Sequence, residues 1–147
     1  MTVLRIASVL VVAAMLALPS VEAHDKNDPR HKAMTSLADN MKALASMAKA
    51  GEMHRDKAVA YADEIAETAR RMLALFPEGS TGHGSRAKPE IWTDWPGFEE
   101  EAADFERTVD MLRAAVQSGE QAQLGAALTD VGKSCSSCHK RFRLPKT

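Results

Sequence analysis

Near the C-terminus two thiols and an imidazole stand in the order Cys135-Ser136-Ser137-Cys138-His139. On a helix, residues three and four apart share a face, so Cys135, Cys138 and His139 present one flank. Thiols at this spacing add across the two vinyl groups of a haem as thioethers, and the adjoining imidazole reaches the iron. Two other chemistries use C-x-x-C. A structural zinc site needs a second ligand pair, and the chain has no other cysteine. A dithiol redox pair expects a preceding strand in a βαβ setting, and no strand pattern precedes this motif. The motif therefore predicts one haem c, covalent through Cys135 and Cys138, with His139 as the near-side iron ligand.

A second axial ligand must come from elsewhere. Thioether sulfur ligates haem iron and raises its potential. After residue 23 the chain holds Met34, Met41, Met47, Met53, Met72 and Met111. Methionine commonly fills irregular cores, but Met34 and Met41 lie on the inward stripe of the first predicted helix. If that helix packs across the haem from His139, one of them faces the iron; periodicity does not choose between them. Arg143, one turn after His139, and Arg30, one turn before Met34, are candidate partners for haem propionates. The remaining histidines are weaker. His24 and His83 read as solvent-exposed, and His54 reads as a C-terminal cap between helices. None stands with a serine or carboxylate at a spacing suited to hydrolysis, so the reading is of a non-enzyme.

The elements that must position these groups follow from periodicity and punctuation. Arg5, the apolar run Ile6–Leu18 and the small residue Ala23 read as a secretory signal covering residues 1–23. The run is about 13 residues, short of the roughly 20 that span a bilayer. A single domain, 24–147, then follows in an oxidising, periplasmic space, which suits covalent haem attachment. The 19 Lys and Arg against 20 Asp and Glu leave a net charge of −1, which gives no electrostatic case for nucleic acid.

Four amphipathic stretches are predicted, each with apolar residues alternating three and four apart. The first runs from Pro29 to Ala50, capped by Asp28 and stopped by Gly51, with stripe Met34, Leu37, Met41, Leu44 and Ala48. The second runs from Arg55 to Leu75. A loop from Phe76 to Trp95, broken by Pro77, Gly79, Gly82, Gly84 and Pro89, is too long to be a bare connection. The third runs from about Pro96 to Ser118, capped by Asp94 or Thr93, with stripe Phe98, Ala102, Phe105, Val109, Leu112 and Val116. The fourth runs from Glu120 to Phe142, with Leu124, Leu128, Val131, Cys135, Cys138 and Phe142 inward. The expected fold is all-α: an antiparallel four-helix bundle with its haem near the end of the fourth helix.

Several of these features occur together in one family. The motif followed by Arg143, the Arg30-x-x-x-Met34 pattern, Lys88-Pro89-Glu90-Ile91-Trp92 in the long loop and Asp130-Val131-Gly132 ahead of the cysteines resemble the class II c-type cytochromes, the cytochrome c-prime family with its low-spin relatives. The resemblance spans nearly the whole chain after residue 23. It implies that Arg30 lies near a propionate, with His31 standing where glutamine is common. It places Met34 on the far side of the haem, Arg143 beside the proximal histidine, and Arg86 and Trp92 in the loop bordering the haem edge. It also implies pairing of two copies through the first two helices. The function expected is one-electron transfer with redox partner proteins of the periplasm. The alternative is a five-coordinate haem that binds a small gas, nitric oxide or carbon monoxide.

Overall fold

A computed structural model describes residues 28–80 and 85–145. The signal segment, His24, His83, Gly82 and Gly84 lie outside the described residues. The elements are α1 (Pro29–Ala50), α2 (Arg55–Arg70), α3 (Glu90–Thr93), α4 (Trp95–Ser118) and α5 (Gln121–Phe142).

Local chemistry sets most boundaries. Asp28 accepts from the Arg30 amide at 2.7 Å and Pro29 occupies the first turn, so α1 starts where expected. α1 and α4 end on Gly51 (φ 71°) and Gly119 (φ 74°), left-handed positions that glycine adopts without a Cβ penalty. Their amides return to Ala48 O and Ala115 O. Both connections are short, so α1–α2 and α4–α5 run antiparallel. Asp94 caps α4 by accepting from the Gly97 amide at 3.3 Å.

Three expectations need correction. α2 ends at Arg70, not Leu75: the chain tightens into i→i−3 bonds and a 3₁₀ turn, Leu73–Leu75. Met72 and Phe76 stay buried across this turn, and Pro77 disfavours continued helix at Phe76. The long loop also holds a helical turn, α3, whose Ile91 is buried against α4. His54, expected to cap a C-terminus, occupies the N-cap position of α2 without a side-chain bond there.

The four long helices form an antiparallel bundle. α4 is its centre, packed on α2 and α5, while α1 leans on α2 and meets α5 more sparsely. The α4 stripe is buried throughout: Phe98, Ala102, Phe105, Val109, Leu112 and Val116. Leu44, Ile65, Leu124 and Val131 complete the core from the other three helices. Arg113 on α4 reaches Asp63 on α2 at 2.9 Å, and Ser36 on α1 donates to Glu64 on α2 at 2.5 Å. These polar contacts fix helix register at the rim. No helix among the described residues is long and apolar enough to cross a membrane.

Candidate haem site

The end of α5 is pinned from two sides. Phe142 is buried and meets Phe98 edge-on, with centroids 5.3 Å apart; Phe98 meets Phe76 in the same way at 4.9 Å. On the other side the long loop lies along the tail as an isolated antiparallel bridge, Ala87 opposite Arg143. The Lys88 amide donates to Phe142 O at 3.0 Å, and the Leu144 amide to Arg86 O at 2.8 Å. The Lys88 ammonium donates to Lys140 O (3.2 Å) and Arg141 O (3.1 Å), carbonyls left over at the helix C-terminus. A cation there also offsets the negative end of the helix dipole. The loop therefore holds the last turn of α5, the turn that carries His139.

Cys135 and Cys138 sit half-buried against the core, on the flank that continues from Val131 to Phe142. Burial raises the Cys135 thiol above its ordinary range. Cys138 is pushed up to about 11, by burial first and then by the Glu101 carboxylate and Cys135, against the opposing Arg141. Dithiol catalysis needs the reverse, a stabilised thiolate. Among the described residues no group of three His, Cys, Asp or Glu side chains is arranged to hold a metal ion.

His139 is half-buried one residue on. Burial, and then the positive charges of Arg143 and Arg86, hold its pKa below the usual imidazole range. The ring is therefore neutral at neutral pH, the form with a lone pair for iron. Arg143 lies 3.2 Å from His139 Nδ1. A guanidinium only donates, so Nδ1 accepts. The Arg86 guanidinium donates to Leu144 O at 3.4 Å.

α1 brings Arg30 to the same end of the bundle. Its side chain is 13% exposed, its guanidinium lies over the Phe76 ring, 5.4 Å from the centroid, and Nη2 is 3.7 Å from Asp28. Nη1 is buried with no hydrogen-bond partner. A buried guanidinium nitrogen without a partner is costly, so it marks where an acceptor belongs. Met34, one turn on, and Met41, two turns further, are half-buried against the core. His31 is exposed on α1. The Trp92 indole donates to Phe76 O (3.2 Å) and Pro77 O (2.9 Å), tying α3 to the turn after α2.

These features fit a haem. There are two half-buried thiols on one flank, a neutral imidazole beside them, and a buried guanidinium nitrogen lacking an acceptor. Among the described residues, moreover, Arg86 and Arg143 have no carboxylate partner.

The Cytochrome C' family model matches residues 25–143. The chain belongs to the cytochrome c' family. Cytochrome c' of Rubrivivax gelatinosus is 33% identical over 121 residues, covering 81% of this chain and 94% of the relative. Cytochrome c-556 of Rhodopseudomonas palustris is 31% identical over 145 residues, covering 94% and 93%. Among solved structures, the nitric oxide complex of a point variant of cytochrome c prime from Alcaligenes xylosoxidans superposes with a TM-score of 0.73 at 29% identity, covering 80% of this chain and 91% of that one. As a cytochrome c' family member the chain carries covalent haem c, on the pair Cys135 and Cys138, and is a monohaem c-type cytochrome.

Three contacts at the site join residues far apart in the sequence. Lys88 caps α5 from 52 residues away. Gly97 is buried where an added Cβ would collide with Arg141 and Asp94. Glu101 accepts from Ser137 at 3.0 Å, inside the motif. A capping residue can be found in sequence only when it is local, and none of these is.

Proposed function

We propose that this cytochrome is a periplasmic one-electron carrier, with His139 as proximal ligand and Met34 as distal ligand. The haem, when bound, supplies an iron that changes charge by one electron. A thioether retained in both states keeps the coordination shell constant, so little has to reorganise. The observation that carries this reading is the pairing of Arg30 and Met34 on α1. Arg30 has a buried, unpartnered nitrogen at the end of the bundle where α5 carries His139, and Met34 is half-buried one turn along the same face. Arg30, Arg86 and Arg143 then serve the propionates. A ring that ligates through Nε2 carries its proton on Nδ1, so Arg143 must leave Nδ1 for another acceptor, and a propionate has the right charge. His31 and Trp92 line the rim, Trp92 by fixing the loop. Residues 1–23 act as the export signal, redox partner proteins are met in the periplasm, and no catalytic role is assigned. Two copies pair through α1 and α2.

A second reading is gas binding at five-coordinate iron. The nitric oxide complex of the Alcaligenes relative favours it. Visible spectra separate the two. The carrier gives sharp, split low-spin bands when reduced and a sulfur-to-iron band when oxidised, and Met34→Ala turns these into a broad high-spin spectrum. A wild-type spectrum that is already high-spin and changes at once with carbon monoxide would sink the carrier reading.

A further inference from the structure

We propose that the haem-bearing end of the bundle is a docking face for an acidic surface on a redox partner protein. The inference rests on the carrier reading and names the chemistry of its partner. Charge is unevenly distributed along this nearly neutral chain. After Asp130 come Lys133, Lys140, Arg141, Arg143 and Lys146, with no acidic residue, and these 17 positions hold the whole haem motif. The preceding 130 positions carry 14 Lys and Arg against 20 Asp and Glu.

The fold adds to this cluster. The loop bridge lays Arg86 and Lys88 on the last turn of α5. Some of these charges are offset locally: Lys133 pairs with Asp130 at 2.8 Å, and Arg141 with Asp94 at 2.7 Å and Glu101 at 3.8 Å. Four are not. Among the described residues Arg86, Lys88, Lys140 and Arg143 have no carboxylate partner, and the hydrogen bonds of Arg86, Lys88 and Arg143 go to carbonyls or to His139. Two propionates do not balance four such charges. Lys140 also edges an open groove of about 710 Å³ along the outer side of the motif, lined by Thr129, Gly132, Ser136 and Ser137 with Lys133 and Arg141; its one carboxylate, Glu101, is engaged by Arg141 at 3.8 Å and Ser137 at 3.0 Å. Small residues and hydroxyls let a partner approach the motif helix closely. Such a face steers an acidic partner toward the end that carries the cofactor and away from the acid-rich remainder.

The test uses small redox ions and the whole haem protein. One electron passes from the ferrous protein to hexacyanoferrate(III), which becomes hexacyanoferrate(II). A docking face that is locally positive makes this rate fall about fivefold as ionic strength rises from roughly 10 mM to 200 mM, although the chain's net charge is negative. With tris(phenanthroline)cobalt(III), a cation, the trend reverses. Poly-L-glutamate competes with hexacyanoferrate, and the double variant Lys133→Glu/Lys140→Glu, changed only at exposed positions, flattens the salt slope and abolishes the competition. A rate with hexacyanoferrate that rises with salt would overturn the proposal, because the cations are then consumed within the site. Sedimentation with phosphatidylglycerol vesicles in place of competition by polyglutamate would overturn it in favour of a bilayer surface. Hexacyanoferrate oxidises ferrous haem whether or not Met34 ligates. A high-spin spectrum therefore removes the carrier reading and leaves the salt slope standing, and a wrong-signed slope does the converse.

Discussion

The two sides of α4 and α5 were finished by different means. Where α4 faces α2, side chains alone complete the core: Val109, Leu112, Val116 and Ile65 are fully buried, and small alanines at 58, 62, 66 and 69 let the helices close up. Where α5 faces α1, the same helical periodicity delivers sulfur and imidazole instead. Cys135, Cys138, Met34 and Met41 stay half-buried, and the Arg30 guanidinium keeps a nitrogen without a hydrogen-bond partner. Close packing and absence of orphaned polar atoms are the norm for a protein interior. One seam meets that norm with protein atoms. The other carries the cysteine pair to which the haem is attached, and we propose that its half-buried Met34 and the unpartnered Arg30 nitrogen serve that cofactor.

That contrast is broken most severely by removing the attachment. Cys135→Ala/Cys138→Ala should abolish covalent haem, read as loss of haem absorbance in the denatured chain. The α1–α5 seam should then loosen, with non-cooperative thermal unfolding by circular dichroism; unchanged helicity and sharp unfolding would mean that the seam closes by itself. Next comes Leu112→Ala in the closed seam, expected to cost about 2–5 kcal/mol in denaturant unfolding while leaving the visible spectrum unchanged. A spectral change of the size caused by Met34→Ala would show that the seams are not separable. Smaller still is Gly97→Ala. The new Cβ must push aside Arg141 and Asp94, which costs the α4 cap, about 1 kcal/mol. Equal stability of variant and wild type would refute this.

The smallest effect is electrostatic. Hydrogen bonds from Ser36, and then Asn40, hold the Glu64 carboxyl below its ordinary range. A depressed folded-state pKa stabilises the fold above the unfolded pKa, and that stability is lost as pH falls through the folded value. Ser36→Ala should therefore reduce stability at neutral pH, by less than about 1 kcal/mol at this exposed site, and the gap to wild type should close under acid. A gap that widened in acid would reverse the sign.

Much of this was readable in sequence because it is local. Asp28, Pro29 and Gly51 bound α1, the α4 stripe is core at every position expected, and the motif falls on the inward flank of α5. What stayed hidden depends on residues far apart in the chain. α2 gives way to a 3₁₀ turn after Arg70 although Met72 and Phe76 continue its buried spacing, so the apolar period runs on past the end of the helix. The loop holds α3 because Ile91 can bury against α4, and Lys88 has a task only once the end of α5 is beside it. The Trp92 indole likewise joins distant parts of the chain, donating to two carbonyls after α2.

The central proposal is that Met34 completes the open seam. The most direct measurement is the proton NMR spectrum of the reduced haem protein, in which the ring current of the macrocycle displaces the methyl group of a ligating methionine far upfield of the protein envelope. The account predicts one such three-proton resonance, lost in Met34→Ala and retained in Met41→Ala. Its absence from the wild type, or its survival in Met34→Ala, would contradict the account.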